Sequence, residues 1–364
     1  MEKPNSTTTV ATREHLRGCP VCTSEEGHRL YTVTSEEAAQ HFVLREGNAE
    51  RHKQLVNCIE RLWNRATCSV WRCASCQFAY ADPYVAGDAE FYDLAHERWA
   101  YPSEKWEYKR TIAALEARNF HGKRVLEIGA GFGLFLDKIA DTRVPRSGVT
   151  TLEFDSQCVK ILRGKGYEAV QGDLRSADLV PGFDAIFLFQ VVEHMDDLQS
   201  LFSRLAELVA SGGRIYIGVP NGKGVDFQEA SGSLLDMPPN HIGRWSCDAF
   251  EVMAATSGLE LSRIEIQPFS LSTFVKTDLI CAYMRKTQKS GTVWNWSRAK
   301  RYTRGGKLLG AAFALISAPS RVPVWYRAAT GSNLGGAIWV ELTKSHRGQS
   351  QSQSPTSPWI EAIS

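Results

Sequence analysis

The chain lacks any uninterrupted apolar run of about 18 residues, the length that a membrane-crossing helix requires. We therefore predict no membrane-spanning helix within its 364 residues. Residues 1–17 are polar and rich in threonine, and they lack the apolar core of a secretory signal. This leader is expected to be flexible, and the protein to be cytoplasmic. Its nine cysteines are expected to be reduced, which favours metal binding over disulfides.

The chain also has little net charge, because 42 Lys and Arg residues nearly balance 40 Asp and Glu residues. The balance is uneven along the sequence. Residues 1–120 carry 15 cations and 17 acids, residues 121–270 carry 14 and 20, and residues 271–364 carry 13 and 3. The first two regions therefore offer no basic face, and we expect no nucleic-acid partner. The last quarter of the chain is basic.

The segment 125–136, around which the chain is organised, lacks one glycine of a common nucleotide-binding pattern. It starts as an apolar strand, has glycines at 129, 131 and 133, and resumes as a periodic apolar segment. This pattern predicts a strand, a tight turn and a helix. A dinucleotide-binding G-x-G-x-x-G sequence would need a further glycine at Leu134, so that class of site is disfavoured. Alternate glycines instead suit a turn in which a ligand lies against bare backbone.

From residue 123 onward, strand-like and helix-like segments alternate, which predicts a parallel sheet covered by helices on both faces. Glu153 ends the second predicted strand, and Asp173 ends the third. A carboxylate at the first of these positions can accept both hydroxyl groups of a ribose. Asp173 can accept a hydrogen bond from an adenine amino group. The sequence thus predicts a nucleoside-binding edge.

Two C-x-x-C pairs occur upstream of this region, Cys19 with Cys22 and Cys73 with Cys76. Four thiolates are the ligand set of a closed tetrahedral zinc site. Four ordinary reduced cysteines without a metal remain an alternative. A redox pair is disfavoured, because neither pair opens a helix after a strand. Between the pairs, residues 35–64 have the composition and spacing of two helices.

Several motifs follow one another in a family-specific order: Glu127/Gly129/Gly131/Gly133, Glu153, Gly172-Asp173-Leu174, Phe183-Asp184 and Glu193-His194. In this order and spacing, residues 91–345 resemble class I S-adenosylmethionine (SAM) dependent methyltransferases. The cysteine pairs and the Pro-Pro-Asn-His loop at 238–241 resemble a bacterial subgroup with a zinc-binding leader, which includes sugar C-methyltransferases. The second carboxy-terminal domain of the sugar enzymes is not found, which argues against sugar C-methylation.

The resemblance implies an α/β fold with a Rossmann-like sheet of seven strands, SAM as cofactor and a structural zinc ion. The cofactor-binding residues that it implies are Glu127, Gly129, Gly131, Gly133, Glu153, Asp173, Leu174 and Gln190. The implied zinc ligands are Cys19, Cys22, Cys73 and Cys76.

The domain prediction has six parts. They are a flexible leader at 1–17, a zinc-binding module with a helical insert at 18–90, a SAM-binding core at 91–270, a basic helical insertion at 271–332, the last core strand at 333–345 and a disordered tail at 346–364.

The activity that the resemblance implies is SAM-dependent O- or C-methylation of a small-molecule or glycan acceptor. His194 follows the fourth predicted strand, at the edge where open α/β sheets place ligands. His241 lies in a proline-rich loop that could fold over the same edge. Either imidazole could act as the general base, or could only brace its loop.

Two other functions stay open from the sequence: an RNA methyltransferase that uses its zinc module, and a non-catalytic SAM-binding or scaffold protein. Some quinone-biosynthesis O-methyltransferases bind a divalent metal through Glu-x-x-Glu-His. Here Gln190 replaces the first carboxylate, which argues against a metal at that position. Residues 294–327 combine cations, aromatic residues and a short apolar helix. They suit either peripheral membrane contact or a basic flap packed on the sheet. The oligomeric state is not predicted.

Overall fold

The structure is a computed structural model. It describes residues 18–95, 103–116, 123–230, 237–287, 304–331 and 333–345. The predicted leader and tail lie outside the described residues, as do residues 294–303 of the predicted membrane contact.

The strands are β1 Gly27–Thr34, β2 Thr67–Cys73, β3 Ala79–Asp82, β4 Val125–Ile128, β5 Val149–Glu153, β6 Glu168–Gln171, β7 Phe183–Phe189, β8 Val209–Pro220, β9 Gly243–Arg244, β10 Leu259–Ile266 and β11 Ala337–Lys344. The helices are α1 Ser35–Phe42, α2 Ala49–Trp63, α3 Ala89–Ala95, α4 Trp106–Glu116, α5 Leu136–Ile139, α6 Ser156–Gly164, α7 Leu198–Leu208, α8 Gly222–Ala230, α9 Cys247–Thr256, α10 Leu271–Thr287 and α11 Arg304–Thr330.

The larger sheet has seven strands in the order β10-β11-β8-β7-β4-β5-β6. Strands β8, β7, β4, β5 and β6 run parallel to one another, and β11 pairs antiparallel with both β8 and β10. This arrangement confirms the predicted α/β sheet of seven strands. Because the parallel strands end at one edge, the glycine loop after β4 meets the residues that follow β5, β6 and β7.

The central strands are buried on both faces, as their continuous apolar sequences require. In β7, Phe187 and Phe189 face a core that also contains Phe135 and Trp339. Ile186, from the same strand, faces the opposite core. Cys19, Cys73 and Cys76 of the amino-terminal module belong to this second core. The module is therefore packed directly on the sheet.

A second sheet of four strands, in the order β1-β2-β3-β9, forms the amino-terminal module. Its last strand, β9, comes from the loop after α8 and pairs antiparallel with β3, Ala79 opposite Arg244 and Tyr80 opposite Gly243. From the same loop, Met237 and Ile242 are buried among residues of α1, α2 and α3. The loop that carries His241 is thus held by the module.

The basic insertion forms two helices, α10 and α11, which pack against each other. Asp278 of α10 is 2% exposed. It accepts hydrogen bonds from Arg321 Nε at 2.9 Å and Trp325 Nε1 at 2.8 Å, both on α11. By length and composition, Leu308–Thr330 could cross a membrane. The lack of an uninterrupted apolar run of about 18 residues predicts no such helix. Core helices of soluble proteins can meet the same criteria, but those are mostly buried, and no residue of the apolar window in this helix is buried.

Candidate active site

The glycine loop begins where β4 ends. Gly129, Gly131 and Gly133 all have positive φ angles, of 67°, 52° and 72°, a region that disfavours other residues. A Cβ atom added at Gly129 would also lie 2.5 Å from Cγ2 of Val191. The alternation of glycines is therefore required by the turn itself.

Glu153, at the end of β5, reaches across to this loop. Its Oε2 accepts a hydrogen bond from the backbone N–H of Gly131 at 2.8 Å. Its Oε1 accepts from the N–H groups of Phe154 at 2.7 Å and Asp155 at 3.1 Å. A carboxylate has about four lone-pair sites, and three are used here, so this oriented group can still accept one hydroxyl donor, on Oε2. The structure thus brings two of the predicted cofactor residues together.

Glu127, in β4, is 3% exposed, and its Oε2 has no hydrogen-bond partner among the described residues. Burial raises the pKa of this carboxyl well above its usual value, and Lys105 opposes that shift only in part. A buried acid without a partner, placed just before the glycine loop, suits a ligand that carries positive charge.

The next two predicted residues are engaged by neighbours. Asp173 accepts hydrogen bonds from Arg175 Nε at 2.8 Å and a second Arg175 nitrogen at 2.6 Å, and these bonds lower the pKa of Asp173. Gln190, after β7, has a φ of 62° and donates its side-chain N–H to Glu107 at 3.0 Å. Leu174 is buried. Sequence spacing alone did not reveal these partners.

His194 ends a single turn of 3-10 helix, Val192–His194, that follows β7. Its Nδ1 lies 2.7 Å from the backbone carbonyl oxygen of Asn240. Because a carbonyl can only accept, Nδ1 carries the hydrogen, and the lone pair of the neutral imidazole is on Nε2. The ring centroid of His241 is 4.6 Å away. The two predicted histidines are therefore neighbours.

The four paired cysteines also converge. The sulfurs of Cys19 and Cys76 are 3.6 Å apart, those of Cys22 and Cys73 are 3.4 Å apart, and all four lie within 4.8 Å of one another. Sulfurs around one zinc ion, at 2.3 Å from it, would be separated by about 3.8 Å. A hydrogen bond from Cys76 lowers the pKa of the Cys19 thiol to about 6. The cluster can hold a structural zinc ion.

Residues 99–263 match the family model of a methyltransferase domain. This part of the chain is a methyltransferase domain. A ubiquinone biosynthesis O-methyltransferase of Thiobacillus denitrificans is 29% identical over 147 residues, which are 36% of this chain and 62% of that protein. A protein of the same name from Brucella anthropi is 31% identical over 133 residues, 34% and 52% of the two chains. The chain thus spans less than two thirds of these relatives.

Among solved structures, the YcgJ protein of Bacillus subtilis is similar, with 16% identity and a TM-score of 0.41. The similarity covers 66% of this chain and 98% of that one. A score this low adds no argument about function.

SAM is the cofactor of the methyltransferase domain, and the residues of this edge fit it. The domain offers a carboxylate for the ribose at Glu153 and a loop of bare backbone at Gly129 and Gly131. It also offers a buried acid, Glu127, for a positively charged group. SAM carries both a sulfonium and an ammonium, so each of these features has a counterpart in the cofactor.

Tyr92 is a site residue that sequence reasoning did not single out. Its hydroxyl lies 3.3 Å from Nδ1 of His194, and burial raises the pKa of this phenol. It sits on α3 directly after Phe91, and two adjacent aromatic residues have no spacing that marks a site. With His241, it forms an aromatic surround for the His194 imidazole.

Glu193, His194 and His241 also place one ligand atom each within 4.8 Å of one another. Imidazole and carboxylate together suit ions such as Zn²⁺, Mn²⁺ or Fe²⁺. The sequence predicts no metal at this position because Gln190 replaces a carboxylate ligand. The loop after α8 brings a third donor, His241, to the same place, and the sequence spacing does not reveal it.

A substitution at Glu127 tests the cofactor assignment. Burial raises the pKa of Glu127 in the folded protein above its value in the unfolded chain. Between those two pKa values the unfolded chain loses a proton that the folded protein keeps, so the ligand-free fold loses stability as pH rises. Glu127→Gln, which has the shape of the neutral acid, should therefore raise the melting temperature of the ligand-free protein, more at pH 8 than at pH 5. It should also reduce the stabilisation by SAM. Differential scanning fluorimetry measures both.

The exposed Glu260, on β10, provides the matched control, since Glu260→Gln should change neither value. An unchanged SAM-induced shift in Glu127→Gln would show that this carboxylate does not face the cofactor.

Proposed function

We propose that this protein uses SAM to O-methylate a hydroxyl group of a small-molecule acceptor, with His194 as the general base. The observation that carries the proposal is the 2.7 Å contact between His194 Nδ1 and the carbonyl of Asn240. It fixes the tautomer whose Nε2 can accept a proton. The names of the relatives, ubiquinone biosynthesis O-methyltransferases, support an oxygen rather than a carbon as the methylated atom.

In this proposal the glycine loop, with Glu127 and Glu153, holds SAM, whereas Asp173, Leu174 and Gln190 line the adenosine side. When bound, SAM supplies a methyl group already activated on a sulfonium. The bound cofactor would give this carbon to the acceptor oxygen, and its sulfur would keep the electron pair of the carbon–sulfur bond. The acceptor O–H bond breaks as well, and its proton passes to Nε2 of His194, so no oxonium product remains. The protein otherwise contributes alignment of the two reactants.

The acceptor would lie beside His194, His241 and Tyr92. A planar, partly apolar hydroxyl compound suits this aromatic surround better than a highly polar one, although a glycan hydroxyl could use the same base. The free cysteines support a reducing compartment, and we place the enzyme in the cytoplasm. The zinc module would be structural, because methyl transfer from a sulfonium needs no metal.

Incubation with SAM labelled in its methyl group tests the proposal. The acceptors would be a set of catechols and hydroxybenzoates, a set of nucleotide sugars, and a total RNA fraction. We expect label on a hydroxyl oxygen of an aromatic acceptor, located by mass spectrometry. Label on carbon, or only on RNA, would contradict the proposal. SAM binding without transfer to any acceptor would instead favour a non-catalytic binding protein.

A further inference from the structure

Helix α11 presents two different faces. One faces α10, with Arg321 and Trp325 bound to Asp278, and Ala328 fully buried. The other carries residues at spacings of three and four, which place them in one row along the helix. This exposed row consists of Leu308, Ala311, Leu315, Pro319, Val322 and Tyr326.

The exposed row is apolar over its whole length. Leu308, Leu315 and Tyr326 are 71%, 78% and 69% exposed. The row runs from Leu308 to Tyr326, which is about 27 Å of helix. Single exposed apolar residues are ordinary, but a continuous apolar stripe of this length marks a surface that is covered by something else.

Charge around the stripe has one sign. Helices α10 and α11 together contain seven Lys and Arg residues and one acid, Asp278. That acid is buried under Arg321 and Trp325. In the part of the two helices whose side chains are described, the exposed charged residues are Lys276, Lys286 and Arg327. The stripe is therefore accompanied by cations without exposed acids.

This charge distribution discriminates between two kinds of partner. A second copy of the chain, packed through the same stripe, would bring like charges together, which opposes association. A bilayer with anionic lipids offers the complementary charge as well as an apolar interior. We propose that α11 docks this protein on an anionic membrane surface, with the stripe inserted into the boundary between headgroups and acyl chains.

The helix would lie in the plane of the surface rather than cross it. Arg321 and its buried partner Asp278 occur in the middle of the α10–α11 contact, and their ion pair would have to enter the hydrocarbon core in a spanning arrangement. An amphipathic helix lying in the interface buries its apolar face by only about 5–10 Å. Docking of this kind would hold whether or not His194 is the base.

Vesicle co-sedimentation of the full chain tests the proposal. We expect binding to vesicles of phosphatidylcholine with phosphatidylglycerol, weaker binding to phosphatidylcholine alone, and loss of binding as salt rises. The double variant Leu308→Glu/Leu315→Glu should reduce the bound fraction at least roughly tenfold, because it places charge on the inserted face. Val180→Glu is the matched control, since Val180 is 69% exposed but lies in the methyltransferase domain.

A second variant, Lys276→Glu/Arg327→Glu, keeps the stripe and reverses two of the exposed charges on α10 and α11. It should abolish the preference for anionic vesicles while SAM binding, measured by calorimetry, stays intact. Equal sedimentation of wild type and both double variants would overturn the proposal. So would a wild-type dimer, seen by light scattering, that the Leu308→Glu/Leu315→Glu variant converts to monomer, because the stripe would then bind a second copy.

Discussion

Replacing His194 with alanine is expected to lower methyl transfer by roughly 10²–10⁴-fold, the usual contribution of a general base. SAM affinity should stay nearly unchanged. The hydrogen bonds described between the glycine loop and elements other than β4 and α5 run to Glu153, Leu152 and Lys165, and none runs to His194. The loss should thus appear in kcat and not in the calorimetric dissociation constant of SAM. Rates would be measured at saturating SAM with the aromatic acceptor found by labelling.

Three further measurements separate the roles of the histidines. His28→Ala, on β1 and remote from the cluster, is the matched control and should keep full activity. Added imidazole should partly restore His194→Ala if the missing function is proton removal. His241→Ala should have a smaller effect, through packing against the His194 ring. Normal turnover of His194→Ala with a large loss in His241→Ala would reverse the two assignments.

A chelator tests whether the same cluster holds a metal instead. If His194 is the base, a chelator that leaves the cysteine-bound zinc in place should not affect turnover. If turnover falls and added Mn²⁺ restores it, then Glu193, His194 and His241 are metal ligands and the base assignment is wrong.

Losing the cysteine cluster should have the second large effect. Binding of a structural zinc ion can contribute on the order of 10 kcal/mol to folding. Cys73→Ser is therefore expected to reduce zinc from about one ion per chain to a small fraction and to lower the melting temperature strongly. In the fraction of the variant that remains folded, the turnover rate should fall by a larger factor than the affinity for SAM. The reason is the position of the loop after α8.

That loop depends on the module by several contacts. The Ser246 hydroxyl donates to the Cys76 carbonyl at 2.8 Å, and the Ala81 N–H donates to the Ile242 carbonyl at 2.9 Å. The loop in turn supplies His241 and the Asn240 carbonyl that orients His194. Among the described residues, the glycine loop has no hydrogen bond to the four cysteines. A disturbed module should therefore misplace the base before it releases SAM.

Elemental analysis, calorimetry with SAM and the labelled-methyl assay would be run on the same samples. Cys247→Ser is the matched control, because Cys247 is partly exposed and outside the cluster. A zinc-free preparation that keeps the wild-type melting temperature and full turnover would refute a structural role for the metal.

The sheet and the glycine loop could be predicted because their signals are local. The strand of residues 183–189 is apolar throughout, since it is buried on both faces. Glu153 could be placed because a strand ends where its apolar pattern ends. In contrast, β9 has two residues, Gly243 and Arg244, and no propensity marks so short a strand. Its pairing with β3 is decided by tertiary packing alone.

The same limit applies to the site. The motif order indicated Asp173 as a ligand for adenine, but not that Arg175 binds both of its oxygens. It indicated His194 and His241 separately, and their contact depends on the loop after α8. Tyr92 reaches His194 because α3 packs beside the module, which no spacing in the sequence records.

Because β9 lies late in the sequence, it affects the order in which the protein can fold while it is being synthesised. Domains generally fold as units from the amino terminus while the chain is being made. This module cannot do so fully, because its sheet stays one strand short until residue 244 has left the ribosome. By then β4 to β8, the parallel part of the larger sheet, have already emerged. Zinc can reach all four cysteines much earlier, so metal loading would precede completion of the loop after α8. A fragment ending near residue 90 would expose the unpaired edge of β3.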